Sequence, residues 1–353
     1  MKEKVVVGMS GGVDSSVALM LLKKQGFEPV GVSLKLPVWQ DKCNRIRDNI
    51  CCSEESLRTA KSVCKKFGVP YHIIDVQKEF KKEVIEYLKR NIKQGRTPNP
   101  CVICNRHHKF RELLRFADKH RIKYVATGHY AKVVFDKKSK KYLLKRPKDK
   151  DKDQTYGLSF LTQKQLSRIL LPLGNLTKEE VFKIAEKEGF EVFLKKKESQ
   201  DFCFVSNKSF SKFIEKEIGV KKGKIIDVNG RVLGEHKGMQ FFTIGQKKGL
   251  NLPGTFYVVK KKGSSLVVSK DINDTYSSEL ILSRVNFISG EKPAKPINVR
   301  AKIRYRQKLS PAKLVPLGNK FKIVFKKPQH AITPGQFCVF YEKDVCLGAG
   351  IIA

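Results

Sequence analysis

A glycine-rich turn between a strand-like run and a helical pattern constrains the fold of this chain most strongly. Residues 7–16 read VGMSGGVDSS, after the apolar run Val5–Val7 and at the start of an amphipathic stretch. Gly11 and Gly12 allow a tight turn and a close approach to an anion, and the unpaired N–H groups of the following helix favour negative charge. The hydroxyl donors in the turn are those of Ser10, Ser15 and Ser16. These features predict a cradle for phosphate groups.

The turn differs from a Walker-type loop, GxxxxGK[ST], because no lysine follows the glycines and Asp14 stands there instead. Simple hydrolysis of a γ-phosphate is therefore disfavoured. The pattern SGGVDSS resembles the pyrophosphate loop of the N-type ATP pyrophosphatases, which split ATP between the α- and β-phosphates. In that resemblance Asp14 helps to hold Mg²⁺. An ordinary strand-to-helix turn is the alternative interpretation.

Charge indicates a polyanionic partner. The 353 residues include 72 Lys+Arg against 34 Asp+Glu, a net charge of +38. An electrostatic field of that size favours binding to nucleic acid. The alternative interpretation is an organism whose proteins all carry lysine-rich surfaces. No run reaches the length of a membrane span, and a strand begins within a few residues of the N-terminus, so we expect a cytoplasmic protein without a targeting peptide. Nine cysteines then favour thiol chemistry or metal binding over structural disulfides.

The first half of the chain alternates strand-like and helical patterns, which predicts a parallel sheet covered by helices, with ligands at the carboxyl ends of the strands. A lysine-rich run at Lys137–Asp153 is predicted to be a solvated loop. After about Lys221 short β-rich segments are broken by Gly, Pro and Asn, so this half is mostly β. The predicted strands are Val5–Val7, Val30–Leu34, Tyr71–Ile74 and Tyr124–Thr127, and the predicted helices are Val13–Lys24, Glu54–Phe67, Glu79–Ile92 and His107–His120.

Two cysteine segments carry candidate chemistry. Cys101 and Cys104 follow a proline-stiffened stretch, TPNPCVICN, and Cys203 lies in SQDFCFV. Neighbouring basic residues, including the run Lys195–Lys197, could increase the thiolate fraction needed for nucleophilic attack or metal binding. Cys203 between two phenylalanines could equally be a buried apolar residue. The spacing of Cys43, Cys51, Cys52 and Cys64 matches no zinc pattern.

Several motifs together resemble those of the tRNA-specific 2-thiouridylase family, whose members replace the 2-oxygen of the wobble uridine with sulfur. They are GMSGGVDSS, TPNPCVICN, TGHYA, KDQTY, SQDFCFV, HKGMQFFTIGQKKGL, RYRQ and TPGQFCVFY, in the family's order. The resemblance implies an α/β fold with an ATP pyrophosphatase domain over residues 1–205, a doubly wound, Rossmann-like parallel sheet. A small central domain over 206–275 and a C-terminal β-barrel over 276–353 follow.

The resemblance also implies roles for single residues. Adenylation of the uridine releases pyrophosphate, a persulfide on Cys203 delivers sulfur, and Cys104 resolves it through a disulfide as AMP departs. Residues expected to bind ATP are Gly8, Met9, Ser10, Gly11, Gly12, Val13, Asp14, Ser15, Leu34 and Gly128. Residues expected to contact the target base are Asn99, Pro100 and Cys101, and those expected to contact tRNA are His129, Lys152, Asp153, Gln154, Arg304, Tyr305 and Gln336.

Cys101 departs from the family pattern, because many relatives have Asp there. Cys101, Cys104 and Cys203 could therefore supply the three thiolates of a 4Fe-4S cluster with one open iron, as an alternative to the persulfide relay. Cys-x-x-Cys in a cytosolic protein fits a redox couple and a ligand pair equally well.

Two other classes of function share some of these features. A tRNA-amidating or lysine-ligating pyrophosphatase needs no cysteine pair, and a non-enzymatic iron–sulfur or RNA-binding protein would keep the nucleotide loop only as structure. The thiouridylase interpretation accounts for the loop, the charge, the thiols and the β-rich half together. It implies ATP and Mg²⁺, tRNA as substrate, a cysteine desulfurase or sulfur-relay protein as donor, and a monomer.

Overall fold

A computed structural model describes residues 2–42, 44, 54–190 and 202–353. Several positions singled out above lie outside the described residues: Cys43, Cys51, Cys52, Lys195–Lys197 and 199–201. No helix within the described ranges combines the length and the apolarity needed to cross a membrane.

The described part of the chain contains helices α1–α10 and strands β1–β17. The helices are α1 Val13–Lys24, α2 Glu54–Lys66, α3 Gln77–Phe80, α4 Glu86–Lys93, α5 Pro100–Cys104, α6 Phe110–Lys119, α7 Thr155–Leu158, α8 Gln163–Leu166, α9 Lys178–Lys187 and α10 Asn207–Ile218, with π-helical turns at Lys81–Ile85 and Asn105–Lys109 and 3-10 turns at Pro172–Asn175, Met239–Phe241 and Ile272–Thr275. The strands are β1 Lys4–Gly8, β2 Glu28–Lys35, β3 Tyr71–Asp75, β4 Tyr124–Thr127, β5 Lys132–Asp136, β6 Lys141–Lys145, β7 Ile169–Leu170, β8 Gly223–Asp227, β9 Val232–His236, β10 Tyr257–Lys262, β11 Ser265–Ser269, β12 Tyr276–Phe287, β13 Ile297–Lys302, β14 Ser310–Leu317, β15 Lys320–His330, β16 Phe337–Glu342 and β17 Val345–Ile352.

The N-terminal part is a parallel sheet with helices on both faces. Its strand order is β3-β2-β1-β4-β7, and every pairing is parallel. Val5 and Val7 of the central strand β1 belong to one hydrophobic core, and Val6 belongs to the other. Because successive side chains of a strand point to opposite faces, β1 is buried from both sides. The predicted doubly wound sheet is confirmed.

The central part is a small antiparallel and parallel sheet in the order β10-β11-β8-β9. Its core is formed by Ile225, Val258, Leu266 and Val268, all fully buried. The preceding helix α10 packs elsewhere: Phe213 and Ile214 join a core that also contains Phe80 of the N-terminal part. The boundaries at 205 and 275 stay predictions.

The C-terminal part is a closed antiparallel barrel. Its strands run β12-β15-β14-β13-β16-β17, and a β12–β17 pairing closes the ring. Strand β6 also pairs with β17, Leu144 opposite Cys346, so the hairpin β5–β6 extends the barrel sheet. The predicted loop over the lysine-rich run is therefore wrong at Lys141–Lys145. The reason is Leu144, which is fully buried in a core shared with the barrel and holds this segment as a strand.

One hydrophobic core joins the barrel to the parallel sheet. It contains Val102 of α5 and Phe160, together with Phe337 and Val339 of β16. The Phe160 and Phe337 rings meet edge to face with centroids 5.0 Å apart. Burial of aromatic side chains in such a contact stabilises the docking of the two parts.

Candidate active site

The predicted ATP-binding residues meet at the carboxyl edge of the parallel sheet. Gly8 ends β1, where it lies beside Val32 on one side and Thr127 on the other. Leu34 is close to the end of β2, and Gly128 directly follows β4. A Cβ at Gly128 would lie 2.5 Å from the carbonyl carbon of Asp14, so β4 and the glycine-rich turn touch through their backbones. The sheet thus builds one candidate nucleotide site.

Gly11 is required by the shape of the turn. Its φ is +73°, and a Cβ there would lie 2.2 Å from the carbonyl oxygen of Ser56 at the start of α2. Gly12, in contrast, has an extended backbone and precedes α1 without any side-chain cap. The first N–H groups of α1 are therefore left without a capping side chain, which is the arrangement that binds anions at helix N-termini.

The serine hydroxyls brace the turn from within. Ser15 Oγ donates to Gly12 O at 3.0 Å and accepts the Ser10 N–H at 3.2 Å. Ser16 Oγ donates to the same carbonyl oxygen at 3.1 Å. These bonds hold the loop in shape before any ligand enters, so the serines contribute to preorganisation of the cradle.

Asp14 has two partners that the sequence analysis did not find. Tyr130 donates its phenolic hydrogen to Asp14 Oδ1 at 2.8 Å, and Lys178 Nζ donates to the same oxygen at 2.7 Å. Both partners are buried, Tyr130 to 2% and Lys178 to 9% exposure. Lys178 is the first residue of α9, after the Thr177 capping box. The lysine that the loop sequence lacks therefore reaches it from a distant helix; the only available signals were the TGHYA motif and the capping box.

The cysteine helix α5 begins with a strong local signal. Asn99 is its N-cap and accepts the Cys101 N–H at 3.0 Å, and Pro100 occupies the first turn. Cys101 is exposed, whereas Cys104 is buried. Surrounding protein raises the pKa of the Cys101 thiol, and Lys109 opposes that rise. The Cys101 thiol is therefore accessible from solvent, whereas the Cys104 thiol is enclosed.

Cys104 and Cys203 belong to the same hydrophobic cluster. Cys104 is 7% exposed, and partly buried Cys203 packs against the cluster together with Leu34 of β2. Phe204, next to Cys203, is fully enclosed and lies with its ring 5.9 Å from that of Phe80. The structure brings these two predicted catalytic cysteines into one apolar environment beside the nucleotide edge of the sheet.

Cys101, Cys104 and Cys203 do not meet as a metal site. Among the described residues, no three His, Cys, Asp or Glu side chains are placed so that they could hold a metal ion. Cys101 is also outside the cluster that contains the other two. The described positions of Cys101, Cys104 and Cys203 therefore do not fit the three thiolate ligands of an iron–sulfur cluster.

The residues expected to contact tRNA fall into an open group and an internally bonded group. Tyr305 is 41% exposed, and its ring centroid lies 6.1 Å from that of buried Tyr156. Arg304 donates to Ala331 O at 2.8 Å. His129 lies beside Phe110 and bonds through Nδ1 to Thr127 Oγ1 at 2.7 Å. Burial and then Lys109 hold the pKa of His129 well below its usual value, so this imidazole is neutral near pH 7.

Asp153 and Gln154 are engaged by the protein itself. Asp153 Oδ2 accepts Arg146 Nε at 2.8 Å and lies 3.6 Å from Lys302 Nζ of β13. Burial alone would raise the pKa of Asp153, but the two cations and Thr155 lower it. Gln154 Oε1 accepts the Tyr130 N–H at 2.8 Å. Lys152 is half-buried in the same segment. The segment therefore connects the barrel to Tyr130, and its contact with tRNA stays a prediction.

Gln336 also has an internal partner. Its side-chain nitrogen donates to Thr97 O at 2.8 Å, just before the segment that contains Asn99 and Cys101. Direct contact of Gln336 with tRNA stays a prediction.

Comparison with known proteins agrees with this architecture. The tRNA methyl transferase HUP domain model matches residues 3–207, the tRNA methyl transferase PRC-barrel domain model matches 211–270, and the aminomethyltransferase beta-barrel domain model matches 277–352. The tRNA-specific 2-thiouridylase MnmA of Acetivibrio thermocellus is 44% identical, with 99% of both chains covered.

Further relatives extend over the same length. The tRNA-specific 2-thiouridylase MnmA 1 of Caldanaerobacter subterraneus subsp. tengcongensis is 46% identical, covering 99% of this chain and 97% of its own. The MnmA protein of Clostridioides difficile is 42% identical, covering 100% and 98%. The three domain models match one after another along the chain, and these relatives are 42% to 46% identical over nearly its whole length. This chain therefore belongs to the tRNA-specific 2-thiouridylase family.

Proposed function

We propose that this protein uses ATP to replace the 2-oxygen of the wobble uridine of tRNA with sulfur. The observation that carries the proposal is the shared cluster of Cys104 and Cys203 beside the carboxyl edge that holds the glycine-rich turn. A phosphate cradle alone would serve many ATP-dependent reactions, and a thiol pair alone would serve many redox reactions. Their juxtaposition in a chain with a net charge of +38 favours thiolation of a nucleic acid.

The first step is activation of the uridine. The 2-oxygen attacks the α-phosphorus of ATP, the bond to the bridging oxygen breaks, and pyrophosphate leaves as the uridine N3 proton is lost. The N-terminus of α1 and the backbone near Gly11 hold the phosphates. Asp14 offers a partly exposed carboxylate that suits Mg²⁺, whose charge would offset that of pyrophosphate, and Lys178 adds a cation at the same place.

The second step transfers sulfur. The terminal sulfur of a Cys203 persulfide attacks C2 of the adenylated uridine, and AMP leaves with the bonding electrons of the C–O bond. The Cys104 thiolate then attacks Cys203 Sγ. The S–S bond breaks toward the uridine sulfur, which keeps the electron pair, a proton returns to N3 to give 2-thiouridine, and a Cys104–Cys203 disulfide forms. A thiol reductant restores both cysteines. Their shared apolar surroundings would limit loss of the persulfide to water.

An anaerobic thiolation assay tests this function. Unmodified tRNA, ATP, Mg²⁺ and a cysteine desulfurase with cysteine are combined with wild type, Cys101→Ala, Cys104→Ser or Cys203→Ser, after the iron content of each protein is measured. We expect 2-thiouridine without iron, retained in Cys101→Ala and lost in the other two variants. A requirement for iron and for all three cysteines would overturn the persulfide route. Absence of thiouridine from wild type would overturn the reaction itself.

The partners and setting of the reaction remain part of this proposal: tRNA as substrate, a desulfurase or relay protein as donor, a monomeric enzyme and a cytoplasmic location.

A further inference from the structure

Thr97, shortly before the cysteine helix, is where three parts of the chain meet. Its N–H donates to Pro334 O of the barrel at 2.9 Å, and its carbonyl oxygen accepts Gln336 Nε2 at 2.8 Å. Its hydroxyl lies 3.4 Å from that of Thr243 in the central part. The barrel thus binds both backbone polar groups of Thr97, which fixes the position and orientation of its backbone.

Gly335 makes the contact possible. Its φ is +91°, and a Cβ there would lie 2.9 Å from Arg96 Cβ and 3.2 Å from Thr97 N. The turn is itself anchored in the barrel, because the Gly335 N–H donates to Ile352 O at 2.9 Å and Gln336 O accepts the Ile352 N–H at 2.8 Å. The turn is therefore fixed to the final strand β17 by hydrogen bonds, and it packs directly against Arg96 and Thr97.

The backbone between Thr97 and the cysteines is restricted, so a shift of Thr97 would also shift the cysteine helix. Pro98 and Pro100 restrict the backbone, and Asn99 caps α5 through the Cys101 N–H. On the other side, Val102 of α5 packs in the core that contains Phe337, the residue after Gln336. The barrel thus contacts the residue that leads toward the cysteine helix, and the buried face of that helix shares a hydrophobic core with the barrel.

We propose that the barrel turn Thr333–Gln336 is a positioning element for the active-site cysteines, and that Gln336 acts on them through Thr97. The importance of the turn for catalysis rests on the proposed function. The predicted structural effect does not, because it concerns the protein without ATP or tRNA.

Cysteine alkylation in the absence of ATP and tRNA tests the proposal. Trypsin releases peptide 97–106, TPNPCVICNR, in which fragment masses distinguish Cys101 from Cys104. In wild type we expect rapid labelling of exposed Cys101 and slow labelling of Cys104, which is 7% exposed. Gly335→Ala should speed labelling of Cys104 about tenfold by opening α5 locally. Gln336→Met, which removes one hydrogen bond at similar length, should speed it about fivefold.

Gly290→Ala is the matched control, because Gly290 has φ +82° and no atom within 4 Å of its added Cβ. It should label like wild type. Unchanged Cys104 labelling in both turn variants, or an equal rise in Gly290→Ala, would overturn the proposal. If Gly335→Ala does not fold, the folded Gln336→Met variant decides between the two outcomes. A positive labelling result combined with no thiouridine from wild type would reject only the proposed function.

Discussion

The glycine-rich turn and the cysteine helix are built in different ways. The turn takes its shape mostly from neighbouring residues: Gly11 allows the backbone, and the hydroxyls of Ser15 and Ser16 bond to Gly12 O. The cysteine helix is capped locally by Asn99, but its approach is held by Pro334 and Gln336 from the far end of the chain. The shape of the glycine-rich turn is thus largely local, whereas the position of the cysteine helix depends on the assembly of all three parts.

This difference suggests a division of labour. A local phosphate loop can be carried by one domain and combined with many chemistries. Thiols that must react beside both a nucleotide and a large RNA need a frame of contacts between the domains to hold them in place. In this molecule the frame includes Lys302 of the barrel, which lies 3.6 Å from Asp153 in the segment beside Tyr130.

The largest expected effect tests whether the glycine-rich turn requires the backbone conformation of Gly11. Gly11→Ala would place a Cβ 2.2 Å from Ser56 O at φ +73°. We expect release of pyrophosphate from ATP with tRNA to fall about 100-fold, because misplacement by about 1 Å has an effect of that size. Gly26→Ala is the control, since Gly26 also has a positive φ, +90°, but lies outside the turn and has no atom within 4 Å of an added Cβ. Equal losses in the two variants would contradict the requirement for the Gly11 conformation.

A smaller effect tests Lys178, a cation that reaches the glycine-rich turn from a distant helix. Lys178→Met removes the charge 2.7 Å from Asp14 Oδ1 but keeps much of the side-chain volume. We expect the KM for ATP to rise about tenfold, the equivalent of about 1.4 kcal/mol, with little change in the KM for tRNA.

Lys183→Met serves as the comparison on the same helix, because Lys183 is 66% exposed and pairs only with surface Glu179 in the described contacts. A similar rise in both variants would show that α9 acts through its stability and not through the charge of Lys178.

The smallest expected effect concerns His129, which directly follows Gly128 at the nucleotide edge of the sheet and lies beside Phe110. Its lowered pKa means that the unfolded chain takes up a proton below about pH 6.5 before the folded chain does, so stability falls as pH falls. From pH 6.5 to 5.5 we therefore expect this residue to contribute to a loss of unfolding free energy. His129→Gln should lose less stability than wild type over this range in urea titrations. Parallel pH profiles for the two proteins would contradict a neutral imidazole with a lowered pKa at His129.

Local patterns predicted much of this molecule. Alternating runs located β1, β2 and β4, and the parallel arrangement correctly placed Gly8, Leu34 and Gly128 at one edge. Contacts between distant segments were beyond such reasoning. Lys178 lies 164 residues after Asp14, and the Thr177 capping box beside it predicts the start of a helix but no partnership with Asp14.

The same limit explains why the predicted solvated loop is wrong at Lys141–Lys145. The lysines around Leu144 suggested a solvated loop, but one buried leucine on the barrel side outweighs them. Asp153 and Gln336 are polar residues in motifs tied to RNA binding; their side chains have partners inside the protein, and their contact with tRNA stays a prediction. Residue type and motif can identify such positions, whereas their partners depend on how the barrel docks.

A single-turnover measurement tests the central claim that Cys203 delivers sulfur and Cys104 releases it. Enzyme carrying a Cys203 persulfide is mixed with ATP, Mg²⁺ and excess unmodified tRNA without reductant, quenched in acid and digested for mass spectrometry. The account predicts a disulfide between the Cys104 and Cys203 peptides that appears at the same rate and in the same amount as 2-thiouridine. Full formation of 2-thiouridine while Cys104 remains open to alkylation would contradict it.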